Sequence, residues 1–145
     1  MRRLRRIAAL TPRDLALLIE AVVVLVRIRI ALCVCSWPQL VSLTAAVQTA
    51  PRPRLNAAQL AWAIRSGSRV VPKATCLTQA LALHHVLSTH GYRSMVHIGI
   101  AKNHDVIDSH AWVEGPDGIV LGSTEHVGRY SRLFSWPSSQ SDRVP

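Results

Sequence analysis

A helical pattern of apolar residues lies near the start of the chain. Thr11 suits an N-cap, Pro12 the first helical position and Asp14 the first turn. Because Trp37-Pro38 stops the pattern, we predict a helix from Pro12 to about Cys35. The helix would be buried on most sides, or covered by another chain, since its apolar stripe is wide. The residues of that stripe are Leu15, Leu18, Ile19, Val22, Val23, Val24, Leu25, Val26 and Ile30.

Three more helices are predicted before the pattern changes. They run from Pro38 to about Gln48, from Ala57 to about Ser66, and from Cys76 through the stretch CLTQALALHHVLSTHGY. Asn56 and Thr75 are suitable N-caps for the last two helices. The connector TAPRPRLN, residues 49–56, contains prolines that exclude regular structure.

After Gly91 the apolar period changes from that of a helix to that of a strand. Strands are predicted at residues 95–100, 111–114 and 119–121, with a polar loop at 102–108 and a tight turn at 115–118. Helices followed by antiparallel strands are typical of an α+β fold. A chain of 145 residues suits one compact domain. Within it we distinguish an N-terminal helical region (1–55), a core (56–135) and a flexible tail (136–145).

Composition narrows the classes of partner. The 17 Lys and Arg against 8 Asp and Glu give a net charge of +9, which favours acidic peptides or anionic membrane surfaces. Aromatic residues make up only 5% and do not alternate with arginine, so a nucleic-acid partner is not predicted. Three cysteines without a secretory signal indicate a reducing cytoplasm. Charged residues interrupt the apolar run, which argues against a membrane span but leaves peripheral membrane contact open.

Cys76 and His110 are the candidates for catalysis. The first turn of a helix carries unpaired backbone N–H groups and the positive end of the helix dipole, which favour a thiolate and can stabilise an oxyanion. Cys76, Ala80 and Leu83 share one helix face, so the cysteine side is predicted to pack on the sheet. His110 begins the strand HAWVE, with Trp112 on the same strand face. On spacing alone, a packing cysteine and a structural histidine remain the alternative.

Several segments carry a resemblance to a known family. They are LAWAIRSGSRVVPKATC, CLTQALALHHVLSTHGYRSMVHIGI, SHAWVE, the first helix and EHVGRYSRL. From about Leu10 to Leu133 the chain resembles the B protein of lasso peptide biosynthesis, a cysteine peptidase with a transglutaminase-like, papain-related fold. The resemblance implies a core in which the catalytic helix packs on a small antiparallel sheet. Since no leader-binding domain precedes the first helix, the resemblance implies the stand-alone peptidase form.

The same resemblance implies that the protein cleaves the leader peptide from a lasso peptide precursor in the cytoplasm. Cys76 would be the nucleophile and His110 the general base and acid, and neither a metal nor an organic cofactor would be needed. The implied partners are the precursor peptide and a separate leader-binding protein. The ATP-dependent lasso cyclase, which acts on the freed amine, is a further candidate partner.

The third member of the family's triad has no obvious counterpart here. The family places an acidic residue on the strand after His110. A two-residue turn at Pro116-Asp117 predicts that paired residue numbers sum to 233, so that His110 faces Ser123. Glu125 is the nearest acid on that face and is the first choice, with Ser123 and Asp108 as alternatives.

Two other functions remain compatible with the sequence. A Cys-His acyltransferase of the transglutaminase-like type would pass the same thioester to an amine instead of to water. A basic, non-catalytic binding module for an anionic partner would need neither Cys76 nor His110 for its activity.

Overall fold

A computed structural model describes residues 11–44, 55–103, 106–115, 117–122 and 127–137 of the chain. Within these ranges the chain forms four helices and then four strands, which confirms the α+β class. The helices are α1 (Pro12–Val34), α2 (Trp37–Thr44), α3 (Ala57–Gly67) and α4 (Cys76–Thr89). The strands are β1 (Met95–Asn103), β2 (Val106–Gly115), β3 (Gly118–Leu121) and β4 (Ser131–Pro137).

The helices begin where their capping residues predict. Thr11 Oγ1 accepts a hydrogen bond from Asp14 N at 3.2 Å, and the Asp14 carboxylate accepts one from Thr11 N at 2.9 Å. The pKa of Asp14 is lowered first by the Thr11 hydroxyl, which donates to Asp14 Oδ2 at 2.8 Å, and then by the Thr11 backbone N–H. Asn56 caps α3 in the same way, by accepting from Ala58 N at 2.9 Å. Each of these bonds joins residues no more than three positions apart. The local sequence was therefore enough to predict where these helices begin.

The sheet is antiparallel, with the strand order β3-β2-β1-β4. Two predictions about it are wrong. The predicted polar loop at 102–108 is mostly strand, since β1 continues to Asn103 and β2 already begins at Val106. The strand β4 was missed, and its last two residues, Trp136 and Pro137, lie where the tail was predicted to begin. The rest of that tail, residues 138–145, lies outside the described residues.

One hydrophobic core connects the helices to the sheet. The α4 helix packs on the sheet face that carries Val96, Ala111 and Val113, as predicted for the catalytic helix. On the opposite side of α4 the core continues to the inner face of α1, where Leu25 is fully buried. Buried apolar side chains on both elements therefore hold α4 against β2.

The second face of the sheet carries a buried histidine between β2 and β4. His97 Nε2 lies 2.9 Å from Glu114 Oε2, and its Nδ1 lies 2.6 Å from Ser135 Oγ. Burial and the charge of Arg132 lower the pKa of His97, against the opposing effect of Glu114. A neutral ring that donates from Nε2 and accepts at Nδ1 satisfies both bonds. The two side-chain hydrogen bonds of His97 thus link β1 to both of its neighbours, β2 and β4.

The buried position of His84 leads us to expect that the protein is less stable in acid. The side chain is fully buried in α4, its Nδ1 lies 2.8 Å from Ser94 Oγ, and burial, with a smaller effect of His85, lowers its pKa to about 4. The unfolded chain binds this proton near pH 6.5 and the folded chain only near pH 4. Stability is therefore full above pH 6.5 and falls as the pH drops towards 4, by about 3 kcal/mol for this group.

The test compares urea unfolding at neutral and acid pH for the native protein and for His84→Asn, which keeps an amide near Ser94 but cannot titrate. We expect the variant to lose about 3 kcal/mol less than the native protein over this range. Equal losses in the two proteins would contradict the assignment to His84, whatever their absolute stabilities at pH 7.

Candidate active site

Cys76 occupies the first position of α4. Its N-cap, Thr75, has an extended backbone (φ −67°, ψ 170°), and the Thr75 hydroxyl accepts a hydrogen bond from the backbone N–H three residues later. Gln79 Nε2 donates to the Ala74 carbonyl at 3.1 Å, which braces the turn before the helix. The Cys76 side chain is half-buried, so a ligand can reach it from solvent. The thiol is thus held at a helix start, where backbone N–H groups lack intrahelical partners.

His110 lies on β2 opposite Gly99 of β1 and contacts two aromatic rings. Its ring centroid is 6.5 Å from that of Trp112, with the planes 17° apart, and 5.3 Å from that of Tyr130. Trp112 is fully buried. A Cβ atom on Gly99 would lie 2.9 Å from the indole ring, so this close approach requires glycine. The imidazole therefore rests on a fixed aromatic support.

Cys76 and His110 line the same open pocket, whose volume is about 390 Å³. In the described residues, β3 pairs with β2 only as far as Val113, and Gly122 then has a φ of +109° that turns the chain. Among the described residues, therefore, no strand pairs with this edge of β2 beside His110, and Cys76 lines the pocket there. The pocket wall is completed by Arg65, Gln79, Ala111, Leu121 and Gly122.

The partner of the histidine was predicted from a register that is wrong. The pairs Gly115–Gly118 and Glu114–Ile119 follow the predicted sum, but the next pair is Val113–Leu121, because the register shifts between Val113 and Glu114. The uniform pairing that placed Ser123 opposite His110 therefore does not hold. Ser123 and Glu125 themselves lie outside the described residues, and a role for either stays a prediction.

Tyr130 is a residue of the site that the sequence analysis missed. Its hydroxyl donates to Asp108 Oδ2 at 2.6 Å, and this bond is the main reason why the pKa of Tyr130 is raised. Burial and the charge of Asp108 raise it further, and a negative charge on Cys76 would act in the same direction. Asp108, one of the three candidates for the third position, is thus linked to His110 through the Tyr130 ring. Only the resemblance of the segment EHVGRYSRL pointed towards this residue.

Arg65 was also missed. Its Nη2 donates to the Val120 carbonyl at 2.8 Å, which ties α3 to β3 at the pocket wall. The exposed guanidinium adds a positive charge to the pocket, where it can attract an anionic group of a substrate. Nothing in its local sequence distinguishes it from the other arginines, because the contact joins residues far apart in the chain.

Comparison with known proteins gives one match. The family model described as the transglutaminase-like superfamily matches residues 21–135, which include Cys76, His110, Tyr130 and Arg65. No curated protein and no solved structure matches the chain.

Proposed function

This chain belongs to the transglutaminase-like superfamily, and from that premise we propose that it is a cysteine peptidase that removes the leader peptide from a lasso peptide precursor. The superfamily match supports a Cys-His enzyme of the papain-like type. The observation that carries the proposal is that Cys76, at the start of α4, and His110, on β2, line one pocket. The narrower assignment to lasso precursors comes from the resemblance of the Cys76 helix and the SHAWVE segment.

The proposed reaction has two steps. His110 takes the proton of the Cys76 thiol, and the thiolate attacks the carbonyl carbon of the scissile peptide bond. Backbone N–H groups at the start of α4 stabilise the oxyanion. When the C–N bond breaks, His110 gives its proton to the leaving amine, which is the first residue of the core peptide. Water, deprotonated by His110, then attacks the thioester and releases the leader as a carboxylic acid.

The Asp108–Tyr130 pair offers a means of fixing the imidazole. The third member of such a triad mainly sets the tautomer and orientation of the ring. The Tyr130 ring packs against the His110 ring, and the Tyr130 hydroxyl donates a hydrogen bond to Asp108 Oδ2 at 2.6 Å. Glu125 and Ser123 remain proposals for the same role.

Transfer to an amine is the second candidate, since members of the superfamily include acyltransferases as well as cysteine peptidases. The two reactions share the thioester and differ only in what resolves it. Incubating the protein with precursor peptide, with and without a primary amine such as methylamine, separates them by product mass. We expect the free leader acid and the free core amine in both samples. A leader amide as the main product would favour the acyltransferase, and an unchanged precursor would contradict both.

A separate leader-binding protein is proposed to present the precursor. A pocket of about 390 Å³ holds only a few side chains, so most of the affinity for a long leader has to come from elsewhere. We place the protein in the cytoplasm beside the ATP-dependent cyclase, which would use the freed amine. In the structure, no helix among the described residues is long and apolar enough to cross a membrane.

The dependence on this partner can be measured directly. We expect kcat/KM for precursor cleavage to rise at least about tenfold when the leader-binding protein is added, because tethering raises the effective concentration of the scissile bond. A leader with its recognition segment scrambled is the control and should show no increase. Equal rates with and without the partner would contradict the proposed partner but not the proposed peptidase activity.

A further inference from the structure

The outer side of α1 carries a long apolar surface. Its inner side packs on α3 and α4, as the burial of Leu17, Ala21 and Leu25 shows. On the outer side, six large apolar side chains are between 40% and 74% exposed. We call them the outer stripe of α1: Leu15, Ile19, Val23, Val26, Ile30 and Val34.

The outer stripe follows the axis of α1. Leu15 and Val26, Ile19 and Ile30, and Val23 and Val34 are each separated by eleven residues, which is close to three full turns of an α-helix. The six side chains therefore form a band about 100° wide that follows the helix axis for about 29 Å. They are six of the thirteen exposed large apolar residues among the described part of the chain. Such a concentration on one face marks an interaction surface, whereas scattered apolar residues need no explanation.

Positive charge borders this stripe. At about 100° per residue, Arg27 lies roughly 70° to one side of its centre and Arg29 roughly 90° to the other. The two acidic residues of the helix are engaged elsewhere, Asp14 in the cap and Glu20 with His90 at 3.4 Å. In the sequence, Arg2, Arg3, Arg5 and Arg6 precede the helix. The outer stripe is thus flanked by cations.

These features distinguish between the possible occupants. A second copy of the chain would bring two molecules of net charge +9 together, which opposes association. The stripe also lacks the aromatic anchors that dominate most protein interfaces. A bilayer needs no shape complementarity, and long arginine side chains can reach its headgroups while the apolar residues enter the acyl boundary. Charge complementarity then favours a surface rich in anionic lipid.

We propose that the outer stripe of α1 lies on the surface of an anionic membrane, parallel to the bilayer, with Arg27 and Arg29 at the level of the phosphates. The exposed outer stripe shows that α1 is not buried on most sides by the described part of the chain, contrary to one of the two sequence expectations. The proposal is independent of the peptidase assignment, because Cys76 and His110 take no part in it.

Co-sedimentation with lipid vesicles tests the proposal. The native protein is mixed with vesicles of phosphatidylcholine alone, or with one third phosphatidylglycerol, at low and high salt. The stripe variant carries Val23→Glu and Val34→Glu, and the matched control carries Val70→Glu and Val106→Glu at exposed valines elsewhere. Both have the same change in charge. Circular dichroism and thermal melting establish that each variant is folded.

We expect the native protein and the control variant to bind the anionic vesicles, and the stripe variant to bind at least about tenfold more weakly. Binding should also be weaker at high salt. Three results would overturn the proposal. They are no binding by the native protein, equal binding by both variants, and a concentration-dependent dimer in sedimentation velocity that only the stripe variant loses.

Discussion

Replacing Cys76 by alanine is expected to abolish precursor cleavage. Without the thiol no thioester forms, and removal of a catalytic nucleophile lowers kcat by on the order of 10⁴-fold or more. The fold should survive, because alanine is only slightly smaller than cysteine and the N-cap bond of Thr75 is retained. The measurement is the release of free leader and core peptide, followed by mass spectrometry, with a thermal melt of the same sample.

The matched control for this variant is Cys33→Ala. Cys33 is an exposed free cysteine on α1, outside the pocket. Its replacement should leave kcat/KM within about twofold of the native value. If Cys76→Ala retained activity, or if both cysteine variants lost it equally, the proposed nucleophile would be wrong. If the native protein bound its peptide but neither it nor any variant cleaved the peptide, the non-catalytic binding module would become the better explanation.

Replacing His110 by asparagine is expected to lower kcat by about 10³-fold, with little change in KM. General acid–base catalysis contributes roughly 10²- to 10⁴-fold, and here one imidazole serves both the attack of the thiol and the departure of the amine. Asparagine keeps a polar group against Trp112 and Tyr130 but cannot carry the proton. Initial rates over a range of precursor concentrations separate kcat from KM.

Two further variants sharpen this prediction. His90→Gln alters a partly exposed histidine at the far end of α4, whose Nε2 lies 3.4 Å from Glu20, and should have nearly native activity. The double variant Cys76→Ala with His110→Asn should be no slower than Cys76→Ala alone, because residues that act as a unit lose their effect together. Additive losses would mean that the two side chains act independently, contrary to the proposed mechanism.

The local parts of the fold could be predicted from the sequence. Thr11, Asn56 and Thr75 each sit directly before a helical pattern, and each helix begins there in the structure. The interaction that decides a helix start spans only three or four residues, so the necessary information is local. The hairpin turn before Gly118 was predictable for the same reason. Gly118 has a φ of +105°, a conformation that favours glycine, so the residue type itself indicates the turn.

The sheet was harder to predict, since its stability comes from pairing between distant segments. Ser131, Arg132 and Ser135 are polar, and β4 has no clear alternation, yet its backbone pairs with β1 along most of its length. In the hairpin, the exposed ends of β1 and β2 tolerate polar residues because cross-strand hydrogen bonds hold them. The register shift beside Val113 likewise has no local sequence signal.

By itself, the sequence determined the class of fold, the helix that begins at Cys76 and the choice of Cys76 and His110 as candidates. These follow from caps, periodicity and a family resemblance, all of which can be found within short segments. Only the tertiary structure decided which groups surround the two residues: Tyr130 with Asp108, and the wall residue Arg65. Their positions depend on contacts between elements far apart in the chain, and such contacts are fixed by packing of the whole core and not by local preference.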